Sequence, residues 1–159
     1  MANLRICARN IFDTAAGCTL SASPSLVSTL PESNLQTQQR FKTARSTSTA
    51  SQDLKYTFST GAQRINFLHQ RMHNYTAAAQ ARVRNYTDTA FTTGVVDNAA
   101  ANCFDYSGFD RNDVLTETDF RLLKNSTRYF TLMTTMQSGI LTITDASNPD
   151  GYFDISRLY

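Results

Sequence analysis

Two aromatic side chains and an arginine lie close together in the sequence, in a pattern that could bind a sugar. They are Tyr106, Phe109 and Arg111. An aromatic ring offers a flat apolar face to a sugar ring, and a guanidinium group offers a planar set of donors to its hydroxyl groups. Tyrosine and phenylalanine are also common in protein cores, and the chain has no tryptophan. These three residues are therefore the candidates for carbohydrate binding, although tyrosine and phenylalanine at strand spacing belong more often to a core.

Five aspartates lie in the stretch 97–119, and loop carboxylates are ligands that calcium prefers. They are Asp97, Asp105, Asp110, Asp113 and Asp119. Their spacing does not match the D-x-[DN]-x-[DN]-G calcium loop. We expect solvated acids on a long loop, with a calcium ion in the 97–119 loop as the alternative, and no other cofactor.

The sequence lacks the common motifs for catalysis. It contains no G-x-S-x-G elbow, no P-loop and no G-x-G-x-x-G, and nothing selects a pair of carboxylates for glycoside hydrolysis. His69 and His73 lie in a segment that alternates like a strand, which would separate their Cα atoms by about 13 Å, too far to share a metal ion. The three cysteines form no metal or disulfide pattern. We expect no enzyme, no catalytic residue and no metal site.

Charge and hydropathy exclude two classes of partner. The chain has 159 residues and a formal net charge of +2, which is too small to predict binding to nucleic acid. No apolar run approaches the roughly 18 residues of a membrane-spanning helix, and no signal peptide is recognisable at the start. Arginine supplies 12 of the 15 basic residues, which favours protein contacts, although codon bias would give the same excess.

Apolar residues that alternate with polar ones predict strands in the first half of the chain. The pattern is clearest in 52–59, 64–70 and 81–87. The residues expected to face the core are Leu54, Tyr56, Phe58, Ile65, Phe67, Ala81, Val83 and Asn85.

The second half of the chain predicts more strands and a defined turn. Residues 129–136 and 139–145 are expected to form a hairpin around Gly139. Asn148-Pro149-Asp150-Gly151 is typical of a type I turn. Residues 153–159 alternate as one last strand.

Seven to eight short strands with long loops indicate an all-β sandwich. We expect one domain over 1–159, since the length suits a single core. Residues 97–119 show no strand pattern and should form a long excursion over one end of the sandwich.

Several short motifs follow one another in an order that resembles a known family. They are N-x-x-D (10–13), T-L-S-A-S (19–23), L-P-E-S-N-L-Q (30–36), R-S-T (45–47), I-N-F (65–67), H-N-Y-T (73–76), A-R-V-R-N-Y-T-D-T-A-F-T-T (81–93) and T-I-T-D-A-S-N-P-D-G-Y-F-D-I-S-R-L-Y (142–159). The chain resembles the discoidin-like, galactose-binding-like jelly-roll modules of tailed-bacteriophage structural proteins. The resemblance covers most of the chain and is strongest at 30–36, 65–93 and 142–159.

This resemblance implies a fold and a role. The fold would be a jelly-roll, with the side chains of Asn34 and Asn74 holding loops. The role would be that of a non-enzymatic virion component, associated with the tail as an adaptor, fibre-attachment or baseplate-like protein, in contact with other virion proteins and copies of itself. Alternatives are a carbohydrate-binding module that recognises a host surface glycan, and a capsid decoration protein. The expected location is the virion, after synthesis in the host cytoplasm.

Overall fold

Strands account for most of the secondary structure of the chain. The computed structural model describes residues 10–13, 17–37, 39, 42–71, 73–103 and 125–159, and within them it contains ten strands and a short 3-10 helix, Glu32–Gln36. The strands are β1 (Cys18–Ser23), β2 (Ala44–Arg45), β3 (Gln52–Phe58), β4 (Gln63–Arg71), β5 (Gln80–Tyr86), β6 (Val96–Asn102), β7 (Asn125–Met136), β8 (Ser138–Thr144), β9 (Asp154–Ile155) and β10 (Arg157–Leu158). In these ranges we find no helix with the length and apolar character needed to cross a membrane.

Two main antiparallel sheets enclose the core. The larger has the strand order β1-β3-β8-β5-β6, the smaller has the order β10-β4-β7, and β2 pairs with β9 in a separate small sheet. One buried cluster takes side chains from both main sheets, including Tyr56 and Leu141 from the larger and Leu68 and Leu158 from the smaller. The predicted all-β jelly-roll sandwich is confirmed. The seven strands of six or more residues match the expected number.

The core face of β3 is the one that its alternation predicts. Leu54, Tyr56 and Phe58 are at most 2% exposed, and their polar neighbours are partly exposed. The ring of Phe12 packs edge-on against that of Tyr56, with centroids 5.1 Å apart. Burial of each such side chain stabilises the fold by roughly 1.5–3 kcal/mol.

The predicted core face of β5 is also confirmed and carries a buried polar contact. Ala81, Val83 and Asn85 are buried, and the hydroxyl of Tyr56 donates to Oδ1 of Asn85 at 2.7 Å. Burial raises the pKa of Tyr56, which keeps this hydroxyl protonated. Gly139 on β8 leaves room for the tyrosine, because a Cβ there would lie 2.3 Å from its ring.

A bulge in β4 changes which residues face the core. The register with β7 shifts between Ile65 and Phe67. Ile65 is buried as predicted, but after the bulge the buried positions are Leu68 and Gln70. An extra residue in a strand reverses which side chains face the core. The prediction of one continuous alternating strand over 64–70 is therefore wrong. The side chain of Phe67 lies outside the described part of the chain.

The hairpin predicted around Gly139 does not form. β7 pairs with β4 in the smaller sheet, whereas β8 lies between β3 and β5 in the larger sheet. The chain turns at Gln137, whose N–H donates to the carbonyl of Tyr86 at 2.9 Å and whose carbonyl accepts from the N–H of Phe58 at 2.8 Å. Because these backbone groups bond to strands of the larger sheet, the chain crosses between sheets here instead of folding back.

The last predicted strand is divided between two sheets. Asp154–Ile155 pairs with β2, and Arg157–Leu158 pairs with β4. Between them, the N–H of Ser156 donates to the carbonyl of Arg71 at 3.0 Å. Ser156 is 2% exposed, so the inward direction changes there, and the prediction of one continuous strand over 153–159 is wrong.

The stretch 97–119 begins with a strand, contrary to the expectation. Its residues up to Asn102 belong to β6, an edge strand of the larger sheet. Ala99 and Ala100 are exposed, so the strand lacks the alternating apolar face from which a strand can be predicted. Residues 104–124 lie outside the described part of the chain.

Several connections meet at one end of the sandwich, which we call the loop end. Arg71 at the end of β4 pairs with Asn125 at the start of β7, and Gln80 at the start of β5 pairs with Asn102 at the end of β6. Hydrogen bonds join 73–79 to 145–153 there. This end therefore brings together side chains from distant parts of the sequence.

Candidate functional site

The predicted carbohydrate-binding residues cannot be placed. Tyr106, Phe109 and Arg111 lie outside the described residues, as do Asp105, Asp110, Asp113 and Asp119. The strands on either side of them, β6 and β7, end and begin at the loop end. The candidate site described below consists of side chains at that end.

An ion pair between two short strands forms the centre of the site. Arg45 on β2 lies opposite Asp154 on β9. Its Nε and Nη2 donate to the two carboxylate oxygens of Asp154, at 2.8 and 2.7 Å. This bidentate contact raises the pKa of Arg45 and fixes the plane of the guanidinium group.

Tyr152 lies against the same arginine. Cζ of Arg45 is 3.9 Å from the centroid of the Tyr152 ring, a cation–π distance. The side chain of Arg45 is 34% exposed and Tyr152 is partly exposed. The pair therefore presents an ordered aromatic and cationic surface to solvent.

Asn74 holds the segment that carries these residues. Its Nδ2 donates to Oδ2 of Asp150 at 2.9 Å and to the carbonyl of Tyr152 at 3.0 Å, and its Oδ1 accepts from the N–H of Asp154 at 2.8 Å. The loop-holding role implied for Asn74 is thus seen in the contacts. Asn34 acts similarly, since its Nδ2 donates to the carbonyl of Thr43 at 2.7 Å.

The predicted turn at 148–151 orients Asp150. The N–H of Gly151 donates to the carbonyl of Asn148 at 3.2 Å, and the N–H of Asp150 donates to Oδ1 of Asn148 at 3.0 Å. Nδ2 of Asn148 donates in turn to the carbonyl of Asn74 at 3.1 Å. The prediction of a turn is confirmed, and Asn148 links it to Asn74.

Buried polar side chains at the loop end form further hydrogen bonds. The N–H of Thr76 donates to Oδ2 of Asp145 at 2.7 Å, and the hydroxyl of Thr76 donates to the other oxygen. The hydroxyl of Tyr75 donates to Gln70, and the ring of His73 stacks on that of Tyr75 at 4.0 Å. Satisfied buried polar groups of this kind make a segment rigid.

We call Arg45, Asn74, Asp150, Tyr152 and Asp154 the loop-end cluster. It combines planar donors and carboxylate acceptors, which are joined by hydrogen bonds, with one ring that packs against Arg45. Such convergent polar groups beside an apolar face suit a small ligand rich in hydroxyl groups. Arg45, Tyr152 and Asp154 lie within the motifs of the resemblance (45–47 and 142–159), but the sequence predicts no binding role for them. Arg45 and Asp154 are 109 positions apart, so no pattern of neighbouring residues indicates their contact.

The described residues contain no group of three metal-ligating side chains that could hold an ion. Asp97, which was expected to lie on a loop, lies instead on β6 and accepts from Arg82 in a bidentate pair. His69 packs against Tyr159, with ring centroids 5.8 Å apart. His73 accepts from the N–H of Tyr75 at 3.4 Å, and thus caps a turn.

Comparisons with known proteins give the fold but no relative by sequence. No family model matches the chain, and no curated protein matches it. The family 32 carbohydrate-binding module of C. perfringens NanJ, solved in complex with galactose, superposes with a TM-score of 0.59 at 12% identity over 90% of this chain and 92% of that one. Chitosan-binding module 1 from a chitosanase/glucanase of Paenibacillus sp. IK-5 has a TM-score of 0.62 at 12% identity, over 89% and 92%.

An enzyme also contains this fold as one part of its length. The Ruminococcus gnavus GH29 fucosidase, solved with fucose, matches with a TM-score of 0.62 at 7% identity, and this chain covers 24% of it. None of these comparisons connects the chain with a bacteriophage. At these identities they establish the fold alone, which is the galactose-binding-like jelly-roll of family 32 carbohydrate-binding and discoidin-like modules.

Proposed function

We propose that the protein is a non-catalytic carbohydrate-binding module that holds a sugar at the loop-end cluster. The observation that carries the proposal is the ordered contact of Arg45 with Asp154 and Tyr152 at the end of a galactose-binding-like fold. The neighbour from C. perfringens was solved with galactose, and the module from Paenibacillus is described as chitosan-binding. These two neighbours support a carbohydrate as the class of ligand, and they do not identify the sugar.

The contacts of the cluster suggest how a sugar would bind. Arg45 donates to Asp154 through Nε and Nη2, and within the described residues no hydrogen bond from its Nη1 is found, so the N–H groups of Nη1 would donate to sugar hydroxyls. The carboxylates of Asp150 and Asp154 are acceptors for hydroxyl donors, and Tyr152 offers its ring edge and hydroxyl. Because Asn74 fixes this segment at three points, little ordering would be required on binding.

A pair of matched arginine variants tests this site. Arg45→Gln should weaken the binding of galactose or chitosan oligosaccharides about tenfold or more, because a charge-assisted donor is lost. Arg82 makes the same bidentate contact with an aspartate on another surface, so Arg82→Gln should leave affinity unchanged. Isothermal titration calorimetry after a glycan-array screen provides the measurement. Arrays without a signal would contradict the proposal, as would equal affinities for the two variants.

The sequence-predicted residues belong to the same proposal. Tyr106, Phe109 and Arg111 follow β6, which ends at the loop end. We propose that they complete the sugar site, so Tyr106→Ala or Arg111→Ala should abolish the glycan-array signal. Retention of full binding by both variants would remove them from the site and leave the loop-end cluster alone.

The absence of catalysis is also part of the proposal. A glycosidase needs one carboxyl group with a raised pKa to act as the acid. Among the described carboxyl groups, the two with a shifted pKa both have it lowered: hydrogen bonds from Thr92 and Thr93 lower that of Asp88 to about 2, and Arg82 lowers that of Asp97. We expect the purified protein to release no reducing sugar from a glycan that it binds. Turnover that survives repurification would contradict this expectation.

A location in a tailed-phage virion, in contact with other virion proteins and copies of itself, stays a prediction. It rests on the sequence resemblance, and binding to a host glycan would be consistent with it. Mass spectrometry of purified particles is the direct test. Detection only in the infected-cell lysate and never in particles would exclude this location.

A further inference from the structure

One dipeptide of the loop end has a chemical reactivity of its own. Asp150 is followed by a glycine, and no other aspartate or asparagine of the chain is. In such a pair the backbone nitrogen of the glycine can bond to the side-chain carboxyl carbon of the aspartate, and glycine hinders this step least because it has no Cβ. Gly151 is exposed, and no atom of the described residues lies within 4 Å of the point where a Cβ would be. The pair is therefore accessible to water, which the reaction requires.

The reaction exchanges one water molecule for another and needs no other partner. The nitrogen of Gly151 forms a bond to Cγ of Asp150, and the N–H proton and the hydroxyl of the protonated carboxyl group leave together as water. The product of this step is a five-membered succinimide ring. Water then opens the ring at one of its two carbonyl groups, which gives either aspartate again or isoaspartate. In isoaspartate the main chain passes through Cβ and Cγ and is one carbon atom longer.

Hydrogen bonds hold both reacting groups in the folded protein. Nδ2 of Asn74 donates to Oδ2 of Asp150 at 2.9 Å, which fixes the carboxyl group. The N–H of Gly151 donates to the carbonyl of Asn148 at 3.2 Å, and the N–H of Asp150 donates to Oδ1 of Asn148 at 3.0 Å. Because the carboxyl group must turn and the Gly151 nitrogen must lose its proton, the bonds to both groups have to break before the ring can close.

Asn74 connects this pair with the rest of the loop end. Its Nδ2 also donates to the carbonyl of Tyr152 at 3.0 Å, and its Oδ1 accepts from the N–H of Asp154 at 2.8 Å. Its own carbonyl accepts from Nδ2 of Asn148 at 3.1 Å. The carboxyl group of Asp150 is thus held by a residue that is itself bonded on both sides of the reactive pair.

We propose that Asp150 is a site of spontaneous isomerisation and that Asn74 restrains the reaction while the protein is folded. The product has one more main-chain atom before Gly151, so the segment that carries Tyr152 and Asp154 shifts against Asn74. Each molecule that isomerises therefore loses the contacts that order the loop-end cluster. The reaction involves only this chain and water, and the proposal does not depend on a sugar as the ligand.

A comparison of the folded chain with the same chain unfolded in guanidinium chloride tests both parts of the proposal. Both samples are kept at neutral pH in water enriched in heavy oxygen, which ring opening places on residue 150. Mass spectrometry of the peptides measures this label, and enzymatic methylation of isoaspartate measures the product. The unfolded chain should react about tenfold faster or more, because no hydrogen bond has to break first. Equal rates would overturn the restraint, and a lack of isoaspartate at residue 150 in both samples would overturn the site.

Three variants identify the restraint. Asn74→Ala should raise the rate in the folded protein about fivefold or more, because the donor to the carboxyl group is lost. Gly139→Ala destabilises the fold at a distant position and should change the rate less than twofold, since unfolded molecules are a small fraction of either sample. Asp150→Glu keeps the carboxylate but cannot close a five-membered ring, so residue 150 should take up no label. An equal rise in Asn74→Ala and Gly139→Ala would assign the reaction to unfolded molecules and refute the restraint, and label at residue 150 of Asp150→Glu would refute the ring mechanism.

Thermal denaturation of the aged protein tests the consequence for the loop-end cluster. The isoaspartate form is separated from the unreacted form of the same sample by chromatography. It should unfold at a lower temperature, because the contacts of Asn74 with Asp150, Tyr152 and Asp154 are disturbed. Identical unfolding temperatures would overturn this consequence. The comparison needs no variant and no ligand, so it holds even where Asn74→Ala does not fold.

Discussion

Replacement of Asn74 by alanine should destabilise the whole domain by a measurable and bounded amount. The change removes the three hydrogen bonds at 2.8–3.0 Å that join Asn74 to Asp150, Tyr152 and Asp154. A typical hydrogen bond contributes about 0.5–1.5 kcal/mol, so the loss of three should lower the free energy of unfolding by about 1.5–4.5 kcal/mol. The backbone N–H of Asp154 also loses its acceptor, which favours the upper half of this range.

Urea unfolding followed by circular dichroism measures this loss, since the chain has no tryptophan. For a domain of this size, a loss of about 3 kcal/mol would lower Tm by about 6–12 °C. Asn102→Ala, at an exposed position on β6, is the matched control and should change stability by less than about 0.5 kcal/mol. A similarly small effect of Asn74→Ala would refute the view that this side chain holds the loop end together.

Three further predictions concern other parts of the fold. Gly139→Ala would place a Cβ 2.3 Å from the ring of Tyr56 and should lower stability by about 1–3 kcal/mol; an unchanged midpoint in urea would contradict this packing. Burial raises the pKa of Cys18 to about 12, so peptide mapping after iodoacetamide treatment at pH 8 should show Cys18 unmodified until the protein is unfolded; rapid native labelling would contradict its burial. Hydrogen bonds from Thr92 and Thr93 lower the pKa of Asp88 to about 2, so the stability that this carboxylate contributes should be present above pH 4 and be lost as the pH falls through about 2; an NMR titration midpoint near 3.8 would show that these bonds do not form.

Local alternation predicted the strands that have one face in the core. β3 and β5 each bury every second residue, so a period of two is visible without any partner strand. β6 gave no such signal because it lies at a sheet edge with exposed alanines. The bulge in β4 and the break at Ser156 could not be predicted, because both depend on which partner strand supplies the hydrogen bonds.

The sequence predicted only the residues that hold the candidate site in place, and not the residues that would contact a ligand. The turn at 148–151 has a local signature, and the resemblance implied the role of Asn74. The pairing of Arg45 with Asp154 depends on two short strands, each of two residues, and on long-range topology. No rule based on neighbouring residues could have joined these positions. The carbohydrate-binding role of Tyr106, Phe109 and Arg111 remains a sequence-based prediction.

The distance in sequence between the members of the loop-end cluster has a consequence for how binding can be detected. Arg45, Asn74 and Asp154 come from three separate parts of the chain, and they meet only when β2 pairs with β9 and Asn74 bonds to Asp154. A form in which any of these three parts is unfolded therefore loses the site, and a ligand that binds there should stabilise the folded state. At a ligand concentration of about 100 times Kd, the free energy of unfolding should rise by about 2.7 kcal/mol. Thermal denaturation with and without sugar would then serve as a screen for ligands that requires no label and no prior choice of contact residue.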